Sequence, residues 1–431
     1  MVLHDERLAD SIAALRDDRL SPTAYVDELR ERTGRVEPQI HAFVSEDGRW
    51  ERVLADAAAL EARFPNPADR PPLYGVPIGV KDIFHVDGLP TRAGSTLPPA
   101  VLTEQQGEAV QRMQAAGALV IGKTVTTEFA YFEPGPTRNP HNTAHTPGGS
   151  SSGSAAAVAA GLCPFAFGSQ TVGSVIRPAA FCGVVGFKPT FDRIPPSGMI
   201  QFSESVDHVG LFTQDTEGAE LAAACLCDDW RHLPSQREKP VLGVPAGPYL
   251  DQVSAEGRRG FETHLDALRD AGFELVRVPT LEDIEEINER HERLNAAELA
   301  IAHEAWYDTF AEEYSETTRS LIEEGQAVPT KEIARGRQGR IELRERLEET
   351  MVDAGIDLWV APSAPGAAPA GIETTGDPAM NLPWTHSGLP TIALPGTTTD
   401  DGLPLGVQCV APFGADERLL DWSHELAAAL Q

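Results

Sequence analysis

The sequence predicts an α/β protein in which a mixed, mostly parallel β-sheet is covered by helices, with a helical segment at the N-terminus. Three observations predict this fold class. Short apolar runs alternate with helix-like segments from residue 73 onward, the first 63 residues carry helical patterns, and residues 283–353 form a long charged block without a strand signal. Such alternation is typical of a sheet that packs against helices.

The N-terminal helices are indicated by a start signal followed by an apolar period. Ser21 and Pro22 are suited to the N-cap and to the first helical position of one of them. The stretch TAYVDELRERTG then places apolar residues at helical spacing. Because glycine commonly follows the last turn of a helix, we expect this helix to end at Gly34.

Eight apolar runs are predicted to be strands. In chain order they are YGVPIGV, ALVIG, GVVGFKP, VLGVP, FELVRVP, DLWVAPS, TIALPG and LGVQCVA. Three segments between them are predicted to be helices: GEAVQRMQAAG, TEGAELAAACL and GRRGFETHLDALRDAG. No repeat or linker divides the chain, so we predict one domain over residues 1–431, with residues 1–63 as its N-terminal helical segment and 283–353 as a helical cap.

The composition is that of an acidic protein with ample material for a core. Apolar residues make up 41% of the chain, and the formal net charge is −30. This charge argues against nucleic acid and anionic membranes as partners, because both bind basic surfaces. Only five of the 35 basic residues are lysines. Such a bias is expected from adaptation to high salt and equally from a GC-rich genome.

The five cysteines are odd in number and form no CxxC pair. In a long chain this pattern favours reduced, mostly buried thiols and a cytoplasmic location. The first ten residues contain no apolar signal core, and no apolar run approaches the length of a membrane span. No cluster of histidine, cysteine, aspartate and glutamate has metal-ligand spacing, so we expect neither a metal nor another cofactor.

Two stretches rich in glycine and serine contain candidate catalytic serines. TPGGSSSGSAAAVAAG, residues 146–161, is a glycine-serine loop that leads into a strong helix former, with Ser150, Ser151 or Ser152 available as the N-cap. GSQTVGSVIRP, residues 168–178, contains two serines and an arginine. Neither the GxxxxGK[ST] nor the GxGxxG spacing is present, so nucleotide binding is not supported.

A third stretch, YGVPIGVKDIF, brings Lys81 and Asp82 to the end of an apolar strand. Together the three stretches resemble the motifs of the amidase signature family of serine hydrolases. The resemblance implies the amidase signature fold, a core over residues 70–230, and a catalytic triad of Lys81, Ser150 and Ser174. The intervals of 69 and 24 residues between these positions fit the family.

The resemblance also implies a mechanism. Ser174 would attack the amide carbonyl, while Ser150, after a cis peptide bond, would relay the proton to a neutral Lys81. Burial must then lower the lysine pKa by several units from its reference of about 10.4. The backbone N–H groups of Thr171, Val172, Gly173 and Ser174 would form the oxyanion hole.

The sequence departs from the commonest family motif at two positions. Gln170 stands where aspartate is usual, and Val172 stands where glycine is usual. A β-branched side chain disfavours positive φ, so we expect an ordinary backbone conformation at Val172. Both features favour a stand-alone amidase over an amidotransferase subunit.

Three other interpretations stay open at this point. The chain could be the amidase subunit of a tRNA-dependent Asp/Glu amidotransferase, which releases ammonia from glutamine for a partner, or a catalytically inactive binding protein of the same fold. A Ser-His-Asp hydrolase would draw on His141, His145, His208 or His386, but none of these histidines has an evident nucleophile-elbow serine to serve, and His208 suits a structural loop.

The substrate is expected to be a small carboxylic amide. Tyr131, Ser151, Trp384 and His386 are the candidate binding residues, and aromatic walls favour an aryl or apolar acyl group. The sequence does not choose among aryl amides, short aliphatic amides and carbamoyl compounds as the substrate. It is also compatible with a homodimer.

Overall fold

A computed structural model describes residues 2–233 and 238–431, and within these ranges ten strands form one continuous sheet. Its strand order is β2-β1-β3-β5-β4-β9-β10-β8-β6-β7. The bounds are β1 (Pro77–Lys81), β2 (Leu119–Thr124), β3 (Phe165–Gln170), β4 (Val185–Lys188), β5 (His208–Thr213), β6 (Leu242–Ala246), β7 (Leu275–Pro279), β8 (Leu358–Pro362), β9 (Thr391–Thr398) and β10 (Pro404–Val410).

The sheet is mixed, as predicted, but its strands are not mostly parallel. Of the nine neighbouring pairs in the described ranges, four are parallel and five are antiparallel. The parallel pairs lie at the two ends of the sheet, and the antiparallel pairs form its middle. Strands β9 and β10, for example, are joined only by residues 399–403. A link this short permits an antiparallel pair, whereas a parallel pair needs a long crossover.

Helices cover the sheet and supply the whole N-terminal segment, as predicted. Their bounds are α1 (Leu8–Arg16), α2 (Pro22–Ile40), α3 (Arg49–Arg63), α4 (Glu108–Ala115), α5 (Ser152–Ala159), α6 (Ile176–Cys182), α7 (Thr216–Leu226), α8 (Pro248–Asp251), α9 (Ala255–Asp270), α10 (Ile284–Phe310), α11 (Glu316–Gln326), α12 (Thr330–Ala354), α13 (Leu382–Ser387) and α14 (Asp416–Leu430).

Helix α2 begins as predicted but ends later. The Ser21 hydroxyl accepts a hydrogen bond from the Ala24 N–H at 3.2 Å. The helix then passes through Gly34 and ends at Ile40, because Val36 and Ile40 are buried in the core and extend its apolar face by another turn. Packing of these two side chains outweighs the low helix propensity of the glycine.

All eight predicted strands are present, and two further strands were missed. Strand β3 ends in Gly168, Ser169 and Gln170, small and polar residues that resemble a loop in the sequence, yet every residue of β3 is buried. Strand β5 was missed because its apolar residues are few and follow a polar residue, His208. Both lie in the centre of the sheet, where neighbouring strands satisfy the backbone on each side.

The block of residues 283–353 is helical, as predicted, and its role as a cap stays a prediction. Helices α10 and α11 approach so closely that a Cβ on Gly325 would lie 1.9 Å from the Ala296 carbonyl oxygen. All five cysteines are free and four are buried, as expected for reduced thiols. Across the described ranges, no helix combines the length and the apolar character that crossing a membrane requires.

Candidate active site

Lys81 is the last residue of β1 and lies between β2 and β3. Its Nζ atom is 2.7 Å from the Ser150 Oγ atom and 2.8 Å from the Ser169 Oγ atom. The side chain is fully buried. Burial lowers the pKa of Lys81 well below its usual value, and the negative charge of Asp207 only partly opposes this shift. Burial thus shifts the balance toward the neutral amine, the form that can accept a proton.

Ser150 is held from two sides in the loop before α5. The peptide bond between Gly149 and Ser150 is cis, as expected. The Thr127 N–H donates to the Ser150 carbonyl oxygen at 3.3 Å. The Arg177 Nη2 atom donates to the Gly149 carbonyl oxygen at 2.7 Å. The backbone on either side of the serine is thus anchored, which fixes the direction of its hydroxyl toward Lys81.

Ser174 lies in the loop that connects β3 to α6 and is 7% exposed. Its hydroxyl makes no hydrogen bond with any other residue that the structure describes. The same holds for the backbone N–H groups of residues 171–174. Because buried N–H groups in proteins are nearly always paired, these unpaired donors are available to a ligand, and their role as an oxyanion hole stays a prediction.

Gln170 determines the shape of this loop. Its Oε1 atom accepts hydrogen bonds from the N–H groups of Val175 and Ile176 at 2.7 and 2.9 Å, at the start of α6. Its Nε2 atom donates to the Thr385 hydroxyl at 2.9 Å, and that hydroxyl donates to the Val172 carbonyl oxygen at 2.6 Å. The amide at position 170 therefore connects both ends of the loop to α13.

The backbone at Val172 adopts an ordinary conformation, as expected for a β-branched residue, since it is not among the described residues with positive φ. Its carbonyl points toward Thr385. The valine side chain is half-buried and packs at the edge of the core. A side chain in place of glycine is thus compatible with this loop geometry.

A buried carboxylate lies behind the same loop. Asp207 accepts hydrogen bonds from the Thr171 hydroxyl at 2.6 Å and from the N–H groups of Phe202 and Ser203. Burial raises the pKa of Asp207 to about 6, although these hydrogen bonds and the nearby Lys81 act in the opposite direction. Asp207 thereby fixes the Thr171 side chain, and its negative charge opposes part of the decrease in the pKa of Lys81.

Sequence reasoning assigned no role to Ser169 or to Asp207. The position of Ser169 could have been found from register. Strands β1 and β3 are parallel, and Gly79 lies opposite Ala166. Lys81 is two residues after Gly79 and Ser169 is three residues after Ala166, so this register brings the two side chains to the same end of the sheet. Recognising β3 as a strand would have been enough to place a second hydroxyl, beside that of Ser150, at the lysine.

The candidate wall residues divide into two groups. Tyr131 is half-buried, and its ring lies 5.0 Å from that of Phe132 and 5.6 Å from that of Phe202. It stays a candidate for substrate binding. Trp384 and His386, in contrast, are fully buried, so the structure does not place them on an accessible wall.

Each of the misplaced candidates has a structural partner. Trp384 donates to the Tyr249 hydroxyl at 2.9 Å and packs edge-on against that ring. His386 pairs with His291, with 3.1 Å between their Nδ1 atoms. Ser151 is also fully buried, and its hydroxyl lies 3.3 Å from the backbone of Ser169. It is the residue before α5, but its side chain does not cap that helix. These three side chains therefore hold the framework of the site.

The other candidate histidines bond to backbone carbonyl oxygens. His141 lies 3.0 Å from the Cys182 oxygen, His145 lies 2.8 Å from the Ala368 oxygen, and His208 lies 2.6 Å from the Val206 oxygen. Burial lowers the pKa of His208 well below its usual value. In the described chain none of them forms a hydrogen bond with Ser150 or Ser174, so the arrangement does not favour a Ser-His-Asp enzyme.

Asp82, which follows Lys81, has a structural role. It forms a buried ion pair with Lys123 at 2.8 Å, and Lys123 also donates to the Thr91 hydroxyl. Burial lowers the pKa of both lysines, but for Lys123 the carboxylate of Asp82 opposes the shift directly, whereas the described hydrogen-bond partners of the Lys81 amine are hydroxyl groups. Within the described residues, no group of three or more histidine, cysteine, aspartate or glutamate side chains could hold a metal ion.

Comparison with known proteins gives a consistent result. The family profile described as Amidase matches residues 24–420. The chain is 32% identical to a glutamyl-tRNA(Gln) amidotransferase subunit of Synechococcus sp. (strain CC9311), with 95% of this chain and 94% of that protein covered. It is 32% identical to a protein named as amidase AmiD in Mycobacterium bovis, with 94% and 90% covered. A solved structure described as an amidase superposes with a TM-score of 0.89 at 32% identity and covers 99% of this chain and 100% of that one.

The hydrogen bonds of Gln170 generate a stability prediction. Gln170→Met keeps the length of the side chain but leaves the Val175 and Ile176 N–H groups buried and unpaired. We expect the free energy of unfolding to fall by about 2 kcal/mol or more, since each such group costs about 1–3 kcal/mol. Urea denaturation measures the change. The control is Gln39→Met on the exposed face of α2, for which we expect a change within about 0.5 kcal/mol. Equal unfolding midpoints for the two variants would contradict this role of Gln170.

Proposed function

The chain belongs to the amidase family, and from this premise we propose that it hydrolyses a small carboxylic amide through an acyl-enzyme on Ser174, with Ser150 and Lys81 as the proton relay and base. The observation that carries the proposal is the 2.7 Å contact between a fully buried lysine amine and the Ser150 hydroxyl. A serine needs a base during attack, and a neutral lysine in an apolar site can serve as one.

In the first half of the reaction, Ser174 Oγ bonds to the amide carbonyl carbon. Its proton passes to Ser150 Oγ while the proton of Ser150 passes to Lys81 Nζ. The carbonyl oxygen becomes negative and is stabilised by the unpaired N–H groups of residues 171–174. The C–N bond then breaks, and the nitrogen leaves with a proton from Ser150, which recovers one from Lys81.

In the second half, water attacks the carbonyl carbon of the acyl-enzyme. The proton of this water travels through Ser150 to Lys81, so the lysine acts as base once more. Collapse of the tetrahedral intermediate breaks the bond to Ser174 Oγ, which regains a proton from Ser150. The products are a carboxylic acid and ammonia or an amine, and all three side chains return to their starting states.

In the resting site the Ser174 hydroxyl forms no hydrogen bond with another described residue. This agrees with the proposed role, because contacts between nucleophile and base are often long without substrate and shorten in the reactive complex. The separate anchors of the two loops, Arg177 on Gly149 and Gln170 on Val175, support a preorganised arrangement.

A second candidate function has a specific observation in its favour. The amidotransferase relative is as similar to this chain as the amidase AmiD is, at 32% identity each. In an amidotransferase, the chain would release ammonia from glutamine and deliver it to a partner. We favour the stand-alone hydrolase because Gln170 and Val172 depart from the motif that the amidotransferase resemblance would lead us to expect.

The nucleophile assignment predicts that the purified chain, without a partner, hydrolyses a member of a panel of simple amides and reacts with a fluorophosphonate probe. Ser174→Ala should lose both properties, with turnover reduced by at least about a thousandfold. Ser197→Ala, which changes an exposed serine, should retain both. Amide release by chromatography and gel fluorescence are the measurements, and circular dichroism confirms the fold.

Labelling or turnover that persists in Ser174→Ala would show that another group is the nucleophile. Glutamine hydrolysis that requires an added partner protein would favour the amidotransferase function. A folded wild-type chain that neither turns over amides nor reacts with the probe would favour an inactive binding protein.

The base assignment predicts a pH profile. Burial lowers the pKa of Lys81, and only the neutral amine accepts a proton, so kcat/KM should rise with pH through that lowered pKa. Lys81→Met should remove the rising limb and reduce kcat/KM by at least about a hundredfold, and Lys81→Arg should not restore it, because guanidinium stays charged. The controls are Lys331→Met, an exposed lysine, and His208→Asn. A limb that survives in Lys81→Met and disappears in the histidine variant would identify histidine as the base.

A further inference from the structure

The segment of residues 127–133 beside the site has an unusual backbone. Phe129 and Ala130 are consecutive non-glycine residues with φ of 45° and 63°. Side chains disfavour this left-handed region, above all a bulky one such as phenylalanine. Such conformations persist only where surrounding contacts determine them and are concentrated at functional sites. The contacts that hold this segment therefore indicate what it is used for.

The first contact is made by Glu128, a carboxylate that is only 4% exposed. It accepts hydrogen bonds from the Ser315 N–H at 3.1 Å, the Ser315 hydroxyl at 2.5 Å and the Thr318 hydroxyl at 2.5 Å. All three donors belong to the N-cap and first turn of α11. Among the described residues no basic side chain forms an ion pair with Glu128, so these donors and the start of the helix compensate its charge.

The second contact is made by the Phe129 ring, which is 1% exposed. It lies 4.5 Å from the ring of His303, 6.2 Å from that of Trp306 and 5.1 Å from that of Tyr314. These rings belong to α10 and to the link between α10 and α11. Both residues that begin the unusual turn are thus fixed by the helical block and not by the sheet.

The turn presents two aromatic side chains next to the proposed chemistry. Tyr131 and Phe132 are half-buried. The Phe132 ring lies 5.7 Å from the guanidinium of Arg177, which holds the backbone before Ser150. The Tyr131 ring lies beside Phe202, whose N–H donates to Asp207, the partner of Thr171. The aromatic pair is thus connected through Arg177 to the loop of the relay serine, and through Phe202 and Asp207 to the loop of the N–H donors.

We propose that Glu128 is a positioning residue that, through its hydrogen bonds to α11, holds Tyr131 and Phe132 as an apolar wall for the organic group of the amide. This wall favours amides that carry an aryl group over those that carry a methyl group. The inference rests on the proposed function, because it assigns a specificity element to the same site. In this proposal the helical block of α10 and α11 influences which amide binds, because it fixes the position of the aromatic wall and does not itself contact the reacting atoms.

The test uses Thr318→Val, which removes one donor to Glu128 at nearly constant shape, and Thr318→Ser, which keeps the hydroxyl. The matched control is Ser320→Ala on the exposed face of the same helix. The probes are phenylboronic acid and methylboronic acid. Each forms a bond from boron to Ser174 Oγ, and the serine proton passes through Ser150 to Lys81. Calorimetry measures affinity without requiring turnover.

We expect Thr318→Val to weaken the binding of phenylboronic acid by about tenfold or more, since misplaced positioning groups can cost up to about a hundredfold. The affinity for methylboronic acid should change less than twofold. Thr318→Ser and Ser320→Ala should match the wild type with both probes.

Equal losses for both boronic acids in Thr318→Val, or no loss with either, would overturn the proposal. A failure of Thr318→Ser to retain the affinity for phenylboronic acid would do the same, as would a wild-type protein that binds methylboronic acid and not phenylboronic acid. Failure of the proposed function gives a different result, because binding of both probes would then persist in Ser174→Ala.

Discussion

The chemistry proposed for this protein depends on one constraint, the burial of the Lys81 amine among hydroxyl groups and, within residues 2–233 and 238–431, without a carboxylate in contact. An ammonium ion in that position would lose its hydration without a contacting carboxylate, so burial lowers the pKa of Lys81 and shifts the balance toward the neutral form. Lys123, at the end of the neighbouring strand, provides the internal comparison. It is also buried, but it contacts Asp82 at 2.8 Å. The two lysines differ in their partners, because Lys123 contacts the carboxylate of Asp82 and Lys81 contacts the hydroxyl groups of Ser150 and Ser169. This difference makes Lys81 the candidate base and Lys123 a structural partner of Asp82.

The remainder of the site holds hydroxyl groups and N–H donors around that amine. Strand β3 brings Ser169 to the lysine and then turns into the loop that carries Ser174. Two side chains fix the two loops. Arg177 donates to the Gly149 carbonyl oxygen in one, and Gln170 accepts from the start of α6 at the end of the other. Because these anchors satisfy the flanking backbone, the four N–H groups of residues 171–174 are left for a ligand. The helical block acts at a greater distance and holds the aromatic segment through Glu128.

Sequence reasoning succeeded where chemistry is tied to local pattern. Lys81 and Ser150 were paired through the resemblance of their motifs to the amidase signature family and lie 2.7 Å apart, and eight of the ten strands follow from apolar runs. It failed where position depends on packing between distant segments. Trp384 and His386 were taken for wall residues, but aromatic side chains suit a core as well as a pocket, and their partners Tyr249 and His291 are 135 and 95 residues away in the chain. Strand β3 was missed because its apolar residues 165–167 are followed by the small and polar residues 168–170, which resemble a loop, and the contact of Ser169 was missed with it.

The charge state of Lys81 can be measured directly. The chain has only five lysines, so NMR spectra of protein with 13C- and 15N-labelled lysine contain few signals, and the Lys81→Met variant identifies the relevant one. We predict that the Lys81 signal titrates far below the reference pKa of about 10.4, with the amine neutral in the pH range of activity. A Lys81 signal that stays that of a charged ammonium up to about pH 10 would contradict the lysine-base mechanism.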